Sequence, residues 1–181
     1  MNNLYKYKPL ELGIIILCPN LNISNLKNTI SSADVYYTNN KISVILPENC
    51  NKEDLEKFSK LKKTYKCGIN LSSMINCGIK NAPCPAWNFI FICKGWMRSR
   101  IDIKYSYFIE NEKDILFPVT NFKLTNFSDT DINGLLIHKQ SFDDIGDFPD
   151  EENLDISKLI WINKAMEKGY KFKGIVGAKI F

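Results

Sequence analysis

Three observations predict an α/β, three-layer domain with a mostly parallel central sheet, helices on both faces and a mixed or antiparallel C-terminal part. Apolar runs of strand length alternate with helix-spaced segments through the first half of the chain. The first and fourth of these runs are apolar on both faces, as strands buried inside a parallel sheet are. After Cys93 the rhythm changes to a period-two segment followed by short, closely spaced runs. No internal repeat, low-complexity tract or linker interrupts the chain, so residues 1–181 read as one domain.

Leu12 to Cys18 is the first strand, carrying Ile14, Ile15, Ile16 and Leu17 and stopped by Pro19-Asn20. Asn22 or Ser24 caps a helix to about Ser32, with Leu26 and Ile30 on one face. Lys41 to Leu46 is the second strand, stopped by Pro47, and Asn51 caps a helix from Lys52 to Leu61. A short strand from Thr64 to Cys67 precedes a helix from Leu71 to Asn81, and Ala86 to Cys93 is the fourth strand. Ile101 to Ile109 alternates as a strand, and Ile115 to Val119 and Gly134 to His138 are further strands. Ser141 to Ile145 is a short helix ending at Gly146. Ile156 to Lys168 is a longer one ended by Gly169, and Tyr170 to Phe181 is the last strand.

Composition excludes several classes. A chain of 181 residues buries roughly 70% of its unfolded surface, enough for a core without staples. Hydrophobic residues at 45% and charged residues at 24% exclude a disordered tail, a collagen-like fibre and a disulfide knot. The net charge of +4 lacks the concentrated basic stripe of a nucleic-acid binder. Lys104, Tyr105 and Tyr107 form one isolated aromatic-basic strand, which does not change that. Lysine dominates over arginine, present only as Arg98 and Arg100, and Asn and Ile are heavily used, as in an A+T-rich coding genome. Residues 1–9 hold no apolar signal core, and no run approaches the ~18 apolar residues that span a bilayer. Cys18, Cys50, Cys67, Cys77, Cys84 and Cys93 contain no C-x-x-C pair, and His138 is distant from each in sequence. The expectation is a cytosolic chain with reduced thiols that act as small apolar residues, and with no zinc site.

Four segments in order carry a resemblance. They are Ile14 to Cys18 ending in Pro19-Asn20; Asn76-Cys77-Gly78-Ile79-Lys80-Asn81-Ala82 leading into Trp87 to Ile92; Asn133 to Phe148 with its Gly146-Asp147-Phe148 turn; and Ala165 to Phe172 followed by Gly174 and Gly177. Together they resemble the nucleotide-sugar-binding domain of family 2 glycosyltransferases, of the GT-A type, over roughly Leu12 to Phe181. The resemblance implies a nucleotide sugar as ligand and a hydroxyl acceptor such as a glycan. It places Pro19, Asn20, Glu48, Asn76, Lys94 and Trp96 around the nucleotide. Sheet physics agrees, because open parallel sheets bind ligands beyond the carboxyl ends of their strands, where Pro19-Asn20, Pro47-Glu48-Asn49 and Cys93 to Trp96 fall.

The acids expected of such an enzyme are displaced. The family holds a divalent cation with an Asp-x-Asp motif after the fourth strand; the matching positions here are Cys93 and Gly95, so no metal ligand remains. Lys94, Arg98 and Arg100 are the cations left to offset phosphate charge. The acidic pair that supplies the general base falls at Ser157 and Lys158. One of Asp150, Glu151, Glu152 and Asp155 takes that role under a shifted alignment, or else these acids favour the helix N-terminus through its dipole. His138 reads as a hydrogen-bonded strand residue, and Ser72 and Ser73 have no triad partners. Two functions stay open: a weakly active, metal-independent glycosyltransferase-like enzyme, or a non-catalytic binding or structural protein that keeps the fold. The second includes a virion-associated assembly component of a virus or phage, with a protein partner or homo-oligomer covering the Cys93–Trp96 edge.

Overall fold

The structure, a computed structural model, describes residues 12–36, 41–93, 108–119 and 132–176. Their seven strands form one sheet in the order β3-β2-β1-β4-β6-β5-β7. β1 (Leu12–Leu17), β2 (Lys41–Leu46), β3 (Lys63–Lys66) and β4 (Trp87–Ile92) are mutually parallel. β6 (Leu135–His138) runs antiparallel to both β4 and β5 (Asp114–Val119), and β7 (Lys171–Val176) pairs parallel with β5. The mixed C-terminal half is thus one reversed strand set between parallel neighbours. The strand expected over Ile101 to Ile109 lies almost wholly outside the described residues, as do residues 177–181.

Helices cover both faces. α1 (Ile23–Tyr36) and α2 (Lys52–Ser59) bury Leu26, Ile30 and Phe58 against Ile14, Ile16, Val44, Phe89 and Phe91. α3 (Leu71–Lys80), α4 (Lys139–Ile145) and α5 (Leu154–Glu167) pack on the other face against Ile15, Leu17, Ile45, Ile90 and Ile92. α1 runs past Ser32 to Tyr36, further than its sequence signals suggest. α5 starts at Leu154 because Asn153 caps it, its Oδ1 accepting from the Asp155 N–H at 2.9 Å. Its far end is closed as expected: Gly169, at φ 81°, lets Tyr170 N reach Ala165 O at 3.0 Å and Gly169 N reach Met166 O at 2.9 Å.

Gly78 sets the closeness of α3 to the sheet. A Cβ there would meet Ile15 Cγ2 at 2.6 Å and Ile45 Cγ1 at 3.3 Å. Both contacts belong to stiff β-branched side chains, on β1 and β2, which have little room to give. At the opposite side of the molecule, Asp114 is fully buried and accepts from Glu110 N at 2.7 Å, Asn111 N at 3.1 Å and Lys173 Nζ at 3.0 Å. Burial pushes its carboxyl up, but these donors outweigh it and hold it below the usual aspartate range.

His138 ends β6 and caps α4, its Nδ1 accepting from the Gln140 N–H at 3.3 Å. It meets Trp87 edge-on at 5.2 Å, and that burial lowers its pKa against an opposing pull from Glu112.

Two stability measurements follow. Gly78→Ala adds about 1–3 kcal/mol of overpacking against a helix-propensity gain of ~1 kcal/mol, so urea unfolding should show a net loss of up to about 2 kcal/mol. The chain's one histidine is disfavoured as a cation when folded. Its contribution is therefore full above the ordinary histidine range and is lost as pH falls from that value toward the lowered folded one. Urea midpoints should decline through that window in the parent and stay flatter in His138→Asn, which keeps a cap acceptor; an unchanged decline refutes the assignment.

Candidate functional site

The chain leaves β1 toward β2 and β3, then returns to pair β4 on β1's other side. The carboxyl ends of β1 and β4 therefore diverge at a topological switch point, where open α/β sheets bind ligands. β1 turns at Pro19-Asn20, with Leu21 N bonded to Cys18 O at 3.4 Å. Leu21 is held at φ 50°, a left-handed conformation that costs a non-glycine residue about 1–2 kcal/mol. Asn22 then caps α1, accepting from Asn25 N at 2.9 Å. At the end of β2, Glu48 is exposed and its N–H bonds Gly68 O at 2.8 Å, which ties the ends of β2 and β3 together.

From Glu48 a cleft of about 540 Å³ runs along α3 to Lys80 and Asp147. One wall is the polar stripe of α3: Ser73, Asn76, Cys77, Lys80 and Asn81. Gly68, at φ 88° with Met74 N 2.6 Å from where a Cβ would stand, lets β3 turn directly into that helix. The opposite wall carries Asp147 and Asp150.

This wall is held by specific contacts. Asn76 Nδ2 donates to Phe148 O at 2.8 Å and its Oδ1 accepts from Phe148 N at 2.9 Å, both buried. Phe148 stacks on Trp161 at 4.5 Å, and Trp161 Nε1 donates to Gly146 O at 2.8 Å. Asn70, the α3 N-cap, donates through Nδ2 to Asp150 Oδ1 at 2.8 Å while its Oδ1 accepts from Ser73 N at 2.9 Å. A carboxylate is favourable there, at a helix N-terminus. Lys80 pairs with Asp147 at 2.6 Å, an exposed bridge worth little in stability. With three carboxylates (Glu48, Asp147, Asp150) against one ammonium (Lys80), the cleft is acidic. Carboxylates accept from ribose hydroxyls and base N–H groups; they repel phosphates.

The predicted residues separate accordingly. Glu48 and Asn76 line the cleft, whereas Pro19 and Asn20 lie at the neighbouring end of β1. Asn76 spends its amide on Phe148. Lys94, Trp96, Arg98 and Arg100 fall outside the described residues. Glu151, Glu152 and Asp155 are exposed, Asp155 lying 3.4 Å from Lys158 Nζ. Ser157 and Lys158, where the sequence resemblance leads one to expect an acidic pair, are both buried, and Ser157 Oγ donates to Pro149 O at 2.8 Å. Among the described residues no group of three or more His, Cys, Asp or Glu side chains is placed to hold a metal ion.

Sequence reasoning passed over Ser73, Lys80, Asn81 and Asp147 as cleft walls, and offered Asp150 only among the carboxylates of a shifted alignment. A signal existed for the α3 wall, because positions 73, 76, 77, 80 and 81 repeat at helical spacing opposite the apolar positions 71, 74, 75, 78 and 79. The expectation of fully reduced thiols does not hold at Cys67 and Cys77, which are disulfide-bonded with Cα atoms 6.3 Å apart. The end of β3 and the second turn of α3 meet there, within the reach of a disulfide.

No protein-family model matches the chain. No curated protein matches it in sequence. Solved structures do share its fold. A mannosyltransferase from Pyrobaculum calidifontis, in complex with GDP-Man and Mn2+, is 12% identical with a TM-score of 0.67, over 96% of this chain and 58% of that one. S. aureus TarS 1–349 is 11% identical with a TM-score of 0.63, over 94% and 59%. A nucleotidyl transferase from Methanothermobacter is 9% identical with a TM-score of 0.63, over 93% and 88%. The chain spans under three-fifths of the first two. Its fold is GT-A-like, and at these identities the likeness carries the fold alone.

Asn76→Ala should lose about 2–4 kcal/mol, since it strands two buried backbone groups of Phe148. Hydrogen exchange should then rise at Phe148 and Asp150 more than at Ile90; uniform exchange would refute the clamp.

Proposed function

We propose that this chain binds a nucleoside-diphosphate sugar, with the nucleoside in the α3 cleft and the diphosphate toward the ends of β1 and β4. The acidic cleft beside the switch point carries the reading: Glu48 and Asp150 suit hydroxyl and N–H donors of a nucleoside. The diphosphate belongs away from those carboxylates, next to the segment that supplies Lys94, Arg98 and Arg100 in the sequence. Transfer of the sugar to an acceptor hydroxyl then proceeds without a metal, cations standing in for it. The base comes from Glu151, Glu152 or Asp155.

A nucleotidyl-transfer reading draws on the fuller coverage of the Methanothermobacter protein. The β1–α1 turn speaks against it, because Cys18-Pro19-Asn20-Leu21-Asn22 offers no glycine for the backbone to wrap a triphosphate. A second reading, binding without turnover, is favoured by buried Ser157 and Lys158 at the general-base positions.

UDP- and GDP-sugars at about ten times their Kd should add about 1.4 kcal/mol, raising Tm by about 3–6 °C for a chain of this size. The shift should be equal in EDTA and in Mn2+ and smaller in Glu48→Gln. Release of nucleoside diphosphate supports transfer, and binding without release supports the second reading. No shift at millimolar ligand sinks both.

A further inference from the structure

Cys18 and Cys93 extend β1 and β4 by one residue each. The strands are parallel and in register up to Leu17 and Ile92, and Cys93 N continues the ladder to Leu17 O at 2.8 Å. Leu17 and Ile92 face one layer of the core, so their successors face the other, and both cysteines pack in that second cluster. Neighbouring Cα atoms in a sheet stand about 4.8 Å apart, inside the range a disulfide spans. Neither is disulfide-bonded; each thiol shifts the titration of the other, and Cys93 Sγ also donates to Asn22 O at 3.8 Å.

We propose that Cys18 and Cys93 form a reactive dithiol that a hydroperoxide converts into a disulfide joining β1 to β4, Cys93 being oxidised first and Cys18 resolving it. Three features divide the roles. Cys93 is only partly buried, at the edge of the crevice, whereas Cys18 is enclosed. The neighbouring Cys18 thiol lowers the Cys93 pKa, more than burial raises it, and the Thr29 hydroxyl adds to the lowering. Cys18 is pushed up in turn. Thiolate character with access is what selects a cysteine for oxidation.

The Cys93 thiolate attacks the terminal peroxide oxygen. The O–O bond breaks, an S–O bond forms, and the departing alkoxide takes up a proton as an alcohol. The Cys18 sulfur then attacks the Cys93 sulfur; the S–S bond forms, the S–O bond breaks, and hydroxide leaves with the Cys18 proton as water. Two thiols lose two electrons and two hydrogens, and the peroxide gains them. Nothing in this step depends on nucleotide binding.

The test is peptide mapping of the full chain, reduced, exposed to one equivalent of hydrogen peroxide and quenched with an alkylating reagent at intervals. A Cys18–Cys93 cross-link should form about tenfold faster than any oxidation of Cys50 or Cys84. In Cys18→Ser, Cys93 should stop at sulfenic acid, trapped by a dimedone reagent; the wild-type map decides the matter even where that variant does not fold. Cys93 bridged to another thiol, oxidised without bridging, or reacting no faster than Cys50 and Cys84 overturns the proposal.

Discussion

All six residues of β1 are buried, its Ile14 and Ile16 in one core layer and Ile15 and Leu17 in the other. A strand apolar on both faces must be covered on both, and each such side chain removed from water contributes about 1.5–3 kcal/mol of gross stabilisation. That requirement explains α1 and α2 on one side and α3, α4 and α5 on the other. It also decides where a ligand can go. With both faces of the central strands closed, recognition is confined to the sheet's rim, and at the carboxyl rim β1 and β4 part company. The cleft, the thiol pair and the strained Leu21 all lie at or beside that rim because the interior has no room for them.

What the sequence made legible is what local physics determines. β2 spans Lys41–Leu46 as its apolar run does, Asn51 caps α2 through a 2.7 Å bond to Asp54 N, and Gly169 closes α5. The order of elements was enough to expect helices on both faces. The reversal of β6 was only partly legible, because strand direction depends on partners far away in sequence. The Asn76–Phe148 clamp joins residues 72 apart, and nothing near Asn76 advertises it. Asn88 is an instructive middle case. An amide inside Trp87–Ile92 looks anomalous in sequence, yet it donates to Cys84 O at 2.8 Å and accepts from Cys84 N at 3.2 Å. Its register partner is Gly13, where a Cβ would stand 2.0 Å from Asn88 Oδ1. The glycine and the asparagine are one feature read in two places.

The site was harder to read than the fold for an electrostatic reason. In sequence, Asp147, Asp150, Glu151, Glu152 and Asp155 form one acidic run, and their charges look equivalent. Folding divides them. Asp150 is drawn to the α3 N-cap and Asp147 to Lys80, both in the cleft, while Glu151 and Glu152 face solvent and Asp155 approaches Lys158. The division is made by Phe148, whose stacking on Trp161 and bonds to Asn76 fix the height of the segment against α3. An aromatic and an amide thus assign roles to carboxylates they do not touch.

This separation of framework from chemistry bears on how the fold relates to activity. Gly78, Asn76, Asn70 and Trp161 shape the crevice, and none needs a catalytic acid to do so. Clustered carboxylates repel one another and cost desolvation, and Cys93, Ser157 and Lys158 spare the frame that cost. Lys158 is buried within reach of Asp155, and Ser157 binds Pro149 O, so both positions are part of the packing. Resemblance of fold therefore carries less about turnover here than the side chains at the rim do.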